Sequence, residues 1–202
     1  MKKNQRNMAD NKSNAIGQVR IISGLWRGRK LPVLNSEGLR PTGDRVKETL
    51  FNWLMGEVGG ATVLDCFSGS GSLGFEALSR GAQEVLFLEK DKRVAAQLSQ
   101  NLKALKTDKG LVKCTDTLQF LRQNTGNQQF DLVFLDPPFH FDLVKQTLAL
   151  LEEYHWLKDN ALVYVETEKG VMLSLSANWV CEKERVTGQV CYRLYRYSNT
   201  AV

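Results

Sequence analysis

Several things are scarce in these 202 residues. The four cysteines, Cys66, Cys114, Cys181 and Cys191, include no Cys-x-x-Cys pair and lie mostly inside apolar strand-like runs. They read as reduced, buried small hydrophobes. There are only two histidines, His140 and His155, neither with a metal-like partner nearby, so zinc would need an unusual ligand set and no metal is assigned. No apolar run approaches the about 18 residues that span a bilayer, which disfavours a membrane role. Behind the basic start MKKNQRNMADNKSN there is neither an apolar stretch nor a small-residue cleavage site, so it does not read as a secretory signal, and a cytoplasmic protein is expected. What remains, 43% hydrophobic and 24% charged residues, is the composition of one soluble globular domain with a small appendage.

The net charge of +5 is unevenly spread. Residues 1–50 hold 11 Lys and Arg against 4 Asp and Glu, a net of +7, whereas residues 51–202 hold 16 against 18, a net of −2. A basic arm on a near-neutral body suggests a polyanion-binding appendage attached to a separate core. Within the arm, residues 1–16 read as a basic solubility tail. QVRIISG (18–24) and RGRKLPV (27–33) predict a small hairpin that must pack on the body, since a two-stranded ribbon is not stable alone. Arg20, Arg27, Arg29 and Lys30 lie on or near this ribbon and can follow a phosphate backbone. A helix follows in LRPTGDRVKETLFNWL, with Thr42 as cap and Val46, Leu50, Trp53 and Leu54 as its buried face. The opposite face, with Arg45, Glu48 and Asn52, is either solvated or lines a cleft.

From residue 61 the pattern alternates. Strands are predicted at 62–67, 84–90, 111–116, 130–136 and 161–168, with helices at 72–81, 91–105, 117–123 and 141–157 between them. Near-continuous apolar strands separated by helices predict a doubly wound α/β fold, its parallel sheet covered on both faces. The end differs. NWVCEKERVTGQVCYRLYRY holds two alternating segments around Thr187-Gly188, an antiparallel hairpin closing one edge of the sheet.

Residues 69–74, GSGSLG, form a Gly-x-Gly-x-x-Gly between a strand and a helix, where backbone N–H groups can approach a polar ligand closely. Glu89 ends the next strand 20 residues after Gly69, where a carboxylate accepts two hydrogen bonds from ribose hydroxyls and disfavours a 2′-phosphate. Dinucleotides and adenosyl-sulfonium methyl donors both fit. Asp65, four positions before the glycines, separates them: it can face the cationic amino-acid end of a methyl donor but is unfavourable beside a pyrophosphate. Asp116 can accept from the adenine amino group, or cap the helix at 117, or both.

The strongest signal is FDLVFLDPPFH. Asp136, Pro137, Pro138 and Phe139 follow directly on an apolar strand and so emerge at the carboxyl edge of the sheet. Two prolines stiffen the turn. One carboxylate and free carbonyls are then available to an exocyclic amine, with Phe139 as a stacking face.

The ordered set LDCFSGSGSLG, LEKD, CTD and DPPF resembles the class I S-adenosylmethionine-dependent methyltransferases that act on exocyclic amines. With VRIISGLWRGRKL, LRPTGDRVKETLFNWL and GQVCYRLY, residues 17–197 resemble the bacterial ribosomal small subunit methyltransferase D family, which methylates a guanine N2 of 16S rRNA. The resemblance implies a Rossmann-like sheet of seven strands over 58–202, an RNA-binding extension over 17–57, and S-adenosylmethionine as methyl donor. It implies that Asp65, Phe67, Gly69 and Gly71 surround the methionine part, Glu89 the ribose and Asp116 the adenine, with Ser68, Ser70, Lys90 and Thr117 as further cofactor contacts and Asp136, Pro137, Pro138 and Phe139 at the target base. Arg20, Arg27, Arg29, Lys30, Arg40 and Arg45 become the choices for 16S rRNA, met in the small subunit or an assembly intermediate. An adenine-N6 methyltransferase is the nearest alternative. An NAD-dependent oxidoreductase leaves the Asp-Pro-Pro-Phe segment unused, and a silent RNA-binding module needs only the arm.

Overall fold

The computed structural model describes residues 16–34, 43–124, 127–138 and 141–199. The tail before residue 16, Arg40, Thr42 and Phe139 therefore lie outside the described residues. The chain begins with an antiparallel ribbon of β1 (Ile16–Arg20) and β2 (Lys30–Leu34), followed by α1 (Asp44–Trp53). The alternating part then runs β3 (Thr62–Asp65), α2 (Ser72–Ser79), β4 (Glu84–Glu89), α3 (Lys92–Leu105), β5 (Gly110–Cys114), α4 (Thr117–Leu121), β6 (Phe130–Leu135), α5 (Phe141–Glu153) and β7 (Leu157–Glu168). It closes with β8 (Trp179–Thr187) and β9 (Val190–Tyr197).

Seven strands form one sheet in the order β5-β4-β3-β6-β7-β9-β8, parallel from β5 to β7 and antiparallel across the last two pairs. The order reverses between β3, which leads to β4 on one side, and β6 on the other. A ligand crevice is expected outside the carboxyl ends of strands at such a point, because the loops there diverge to opposite faces.

The strands are buried on both sides, as their apolar runs require. Val63, Phe87, Leu132, Phe134 and Tyr164 pack toward α1, α2, α3 and the ribbon, while Leu64, Leu88, Val133, Val163 and Val165 pack toward α4 and α5. Aromatic contacts fill both layers: Phe75 meets Phe87 at 5.1 Å on one side, and Phe120 meets Trp156 at 5.1 Å on the other. The Trp156 indole N–H donates to the Leu121 carbonyl at 2.8 Å, so that large ring is buried without losing its hydrogen bond.

The ribbon docks through polar groups as well as through Val19, Ile21, Leu31 and Val33. Fully buried Glu76 on α2 accepts from the Ile22 and Ser23 N–H groups at 2.8 and 3.0 Å, and Ser79 Oγ accepts from Trp26 N–H at 2.9 Å. Gly24, at φ +78°, lies so close to the Ser79 carbonyl that a Cβ there would stand 1.8 Å from its oxygen. These bonds seat the turn of the ribbon against the C-terminal end of α2.

Four sequence expectations are corrected. The inward face of α1 carries Lys47, Leu50, Phe51 and Leu54, with Val46 and Trp53 only partly buried. The stripe is rotated because the Lys47 ammonium finds a partner that periodicity cannot reveal: it donates to the Arg20 carbonyl at 2.5 Å and pairs with Asp44 at 3.2 Å. Gly43 is the N-cap residue of α1, with no side-chain cap bond. Of the cysteines, Cys66 and Cys191 are buried but Cys114 and Cys181 are exposed, because the strands bearing them, β5 and β8, are the two sheet edges. Finally, α5 stops at Glu153, where His155 adopts φ +56° and the chain enters β7 four residues earlier than the apolar run at 161 suggests.

Candidate active site

Beyond Asp65 at the end of β3 the chain turns sharply into α2. Gly69 and Gly71 take left-handed conformations, at φ +50° and +74°, which residues with a Cβ adopt at a cost. The turn is fixed by backbone bonds from Ser68 N–H to the Leu88 carbonyl at 3.0 Å and from Gly71 N–H to the Ser68 carbonyl at 2.6 Å. The third glycine serves packing: a Cβ on Gly74 would come within 2.2 Å of the Phe87 ring. Its bare backbone instead donates to Asp65 Oδ2 at 3.2 Å.

Glu89, ending β4, is aimed at the same turn. Its Oε2 accepts from Gly69 N–H at 3.0 Å and its Oε1 from Asp91 N–H at 2.8 Å, so backbone fixes both oxygens and each keeps a lone pair for a further donor. Asp116 Oδ1 accepts from Gln119 N–H at 3.0 Å, the helix-cap reading. Thr117 is buried, its hydroxyl donating to the Cys66 carbonyl.

On the other side, β6 delivers Asp136, Pro137 and Pro138 to the carboxyl edge of the sheet. The parallel register pairs Leu135 with Val165, which brings Asp136 beside Glu166 on β7. Tyr164 Oη donates to Glu166 Oε1 at 2.8 Å and holds that carboxylate in place. Both sets of residues open onto one cleft of about 1150 Å³. Asp65, Phe67, Ser68, Gly69, Ser70, Glu89, Lys90, Asp116 and Thr117 line one part of it, and Asp136, Pro137, Pro138 and Glu166 another.

The cleft is strongly acidic. Burial is the main reason that the Asp65 carboxyl is pushed up to about 8, with the charges of Asp136 and Glu89 adding to it and the Gly74 N–H bond opposing it. Glu166 is also raised to about 8, first by burial and then by Asp136, against the Tyr164 hydrogen bond. Carboxyls held in this way gain from a cationic ligand, which relieves both burial and mutual repulsion.

Comparison with known proteins defines the kind of fold these residues occupy. A profile of the family described as Conserved hypothetical protein 95 matches residues 19–196. Ribosomal RNA small subunit methyltransferase D of Haemophilus influenzae is 62% identical over 185 residues, covering 91% of this chain and 96% of its own. The chain belongs to the ribosomal RNA small subunit methyltransferase D family. The Escherichia coli K12 member is 50% identical over 181 residues, covering 89% of this chain and 90% of its own. A solved Escherichia coli structure superposes with a TM-score of 0.84 at 48% identity, covering 90% of this chain and 99% of that one.

On this family fold, not every expected site residue reaches the cleft. Gly71 is not among the residues lining the cleft, and a Cβ on it would come within 2.4 Å of Phe75 and 2.6 Å of Leu98, so the bare backbone lets α2 pack closely at this turn. Arg20, Arg27, Arg29 and Lys30 are exposed. Arg29 donates to the Ala104 carbonyl at 3.1 Å and, like the turn bearing Arg27, sits toward the end of the helices away from the glycine loop. Of the described cations expected at the RNA, Arg45 alone stands at the cleft side, lining a small pocket that adjoins it. Sequence reasoning missed three residues. Ser72 opens α2 and lines the cleft, and its buried hydroxyl has no hydrogen-bond partner among the described residues. Glu166 is hidden in an apolar strand, and Arg185 in an alternating edge strand. Only Ser72 carried a signal, as the first helical residue within the glycine motif.

Proposed function

We propose that this protein transfers the methyl group of S-adenosylmethionine to the exocyclic N2 amine of a guanine in 16S rRNA of the small ribosomal subunit. The observation that carries this reading is the shared cleft, in which the glycine turn and the Asp136–Pro138 corner open onto one space. The name borne by the relatives supports an rRNA substrate.

The residues of the glycine side suit the donor. Glu89 offers two anchored acceptors to the ribose hydroxyls, the orphaned Ser72 hydroxyl offers a polar contact to the amino-acid end, and Asp65 offers negative charge to a cation. When bound, S-adenosylmethionine supplies an electrophilic methyl group on a cationic sulfur. Asp136 and the Pro137 carbonyl accept N–H bonds from the target amine and aim its lone pair, which is otherwise delocalised into the base. As the amine gains its new bond to carbon and the carbon–sulfur bond breaks, its electron pair remaining on the now neutral sulfur, Asp136 takes the proton released by the amine and passes it to solvent. Most of the acceleration comes from alignment in the cleft, since orientation alone supplies roughly 7–11 kcal/mol in favourable cases.

Glu166 favours guanine over adenine. The Watson–Crick edge of guanine presents N–H donors at both N1 and N2, which a wall of acceptors satisfies; adenine turns a lone pair at N1 toward the same wall. Two donors also favour the ionised form of a carboxyl that burial holds mostly neutral near pH 7. The test is mass spectrometry of nucleosides from unmethylated small subunits treated with the protein and donor. N2-methylguanosine is expected, and N6-methyladenosine would overturn the assignment. Glu166→Gln should lower kcat/KM on guanine about tenfold.

A further inference from the structure

Beside the cleft, between α1 and the C-terminal hairpin, lies a pocket of about 110 Å³. It is well below the roughly 300 Å³ of pockets that enclose a small molecule. Two arginines from distant parts of the chain line it: Arg45 in the first turn of α1 and Arg185 on β8. Arg185 Nη1 donates to Thr49 Oγ1 at 3.2 Å, which fixes it across the gap. Among the described residues neither arginine forms an ion pair and no carboxylate lines the pocket. The acids of β8 are engaged elsewhere, Glu184 with Arg193 at 2.6 Å and Glu182 with Arg196 at 2.5 Å.

The rest of the lining includes Trp53, Tyr164 and Tyr192, the two tyrosine rings stacked 6.4 Å apart. Val46, Thr187 and Tyr192 line both this pocket and the cleft, so the two are continuous on the Glu166 side. This is a sharp change of electrostatic sign. A polyanion entering the acidic cleft is repelled unless its phosphates find cations at the rim. Two arginines without an ion pair among the described residues, beside hydroxyls and aromatic rings, meet that need, because their planar forks match phosphate oxygens.

We propose that Arg45 and Arg185 form a phosphate subsite that holds the phosphodiester next to the target nucleotide, so that its base turns into the cleft. The inference rests on the reading of the substrate as RNA. Arg185→Ala should raise KM for unmethylated small subunits about tenfold, with kcat within about twofold. Its slope of log affinity against log salt should be shallower by about 0.7, the value for one single-strand phosphate contact. Arg185→Lys should recover the slope but only part of the affinity, because it keeps the charge and loses the fork. The dissociation constant for S-adenosylmethionine, by calorimetry, should not move. Arg45→Ala, at an exposed helix position, gives the same readout if Arg185→Ala fails a thermal-melting check. Unchanged KM and slope, or a loss explained by weaker donor binding, overturns the subsite. If the wild-type protein still makes N2-methylguanosine, the functional reading survives that result; if it makes none, that reading falls by itself.

Discussion

The two walls of the cleft are built by different means. On the glycine side, backbone does the positioning: Gly69 and Asp91 N–H groups clamp Glu89, Gly74 N–H clamps Asp65, and tight turns between β3 and α2 leave little freedom. On the acceptor side, side chains from α1, β6, β7 and β8 converge, and what holds them is Tyr164 on Glu166 and Thr49 on Arg185. The first wall suits a ligand that is always the same. The second suits a macromolecule, whose contacts are spread over a surface and sensitive to salt. Damage to the first should therefore act on the small ligand and on folding, and damage to the second on turnover and RNA affinity.

The largest separation between the walls should come from Asp136→Ala. Methyl transfer is expected to fall at least about a thousandfold, the upper part of the range for a positioned proton acceptor. Donor binding by calorimetry should stay within a few-fold. Residual activity near wild type would remove Asp136 from the chemistry.

Asp65→Asn is expected to weaken donor binding about a hundredfold while stabilising the free protein. The sign follows from the raised carboxyl. With a folded value of about 8 against an ordinary 3.8, the folded state holds a proton that the unfolded state has lost between those values, so wild-type stability declines as pH rises across that window. Asn carries no such proton. The melting temperature of the variant should therefore exceed wild type near pH 8 and converge with it near pH 4, by about 2–4 °C for each kcal/mol involved. For the wild type, donor affinity should increase with pH and level off above about 8, as the cation favours ionised Asp65. A flat affinity profile in calorimetry would show that Asp65 does not sense the donor.

A smaller effect is expected at the ribbon. Lys47→Met leaves the Arg20 carbonyl without its donor and should cost about 1–3 kcal/mol, read as a lower melting temperature and faster proteolysis within residues 17–34. Donor affinity should be unaffected, which distinguishes this scaffold contact from either wall.

The glycine side of the cleft was largely legible in the sequence. A Gly-rich turn after an apolar strand, with an acid 20 residues on, specifies a local geometry that needs only neighbouring strands to be realised. Asp136 was legible for the same reason, since a strand that ends in two prolines must project what precedes them. Glu166 and Arg185 were not. Glu166 gains its meaning from the register of β6 with β7, and Arg185 from the return of β8 to α1, neither of which leaves a local pattern. The burial of Lys47 was not legible either: spacing does not reveal that the Arg20 carbonyl at the end of β1, with Asp44, makes it a satisfied core residue. The charge asymmetry pointed to the N-terminal arm, yet the fold seats the turn of the ribbon against the far end of α2 and brings Arg45 together with a cation from the opposite end of the chain.

Sequence alone determined the order of strands and helices, the glycine turn with its acid, and the stiff corner after β6, because each is set by side-chain period or backbone restriction within a few residues. Tertiary structure decided which charges meet. The fields of Asp65, Asp136 and Glu166, and the presence of Arg45 and Arg185 at one pocket, depend on distances between strands and helices that no local preference encodes.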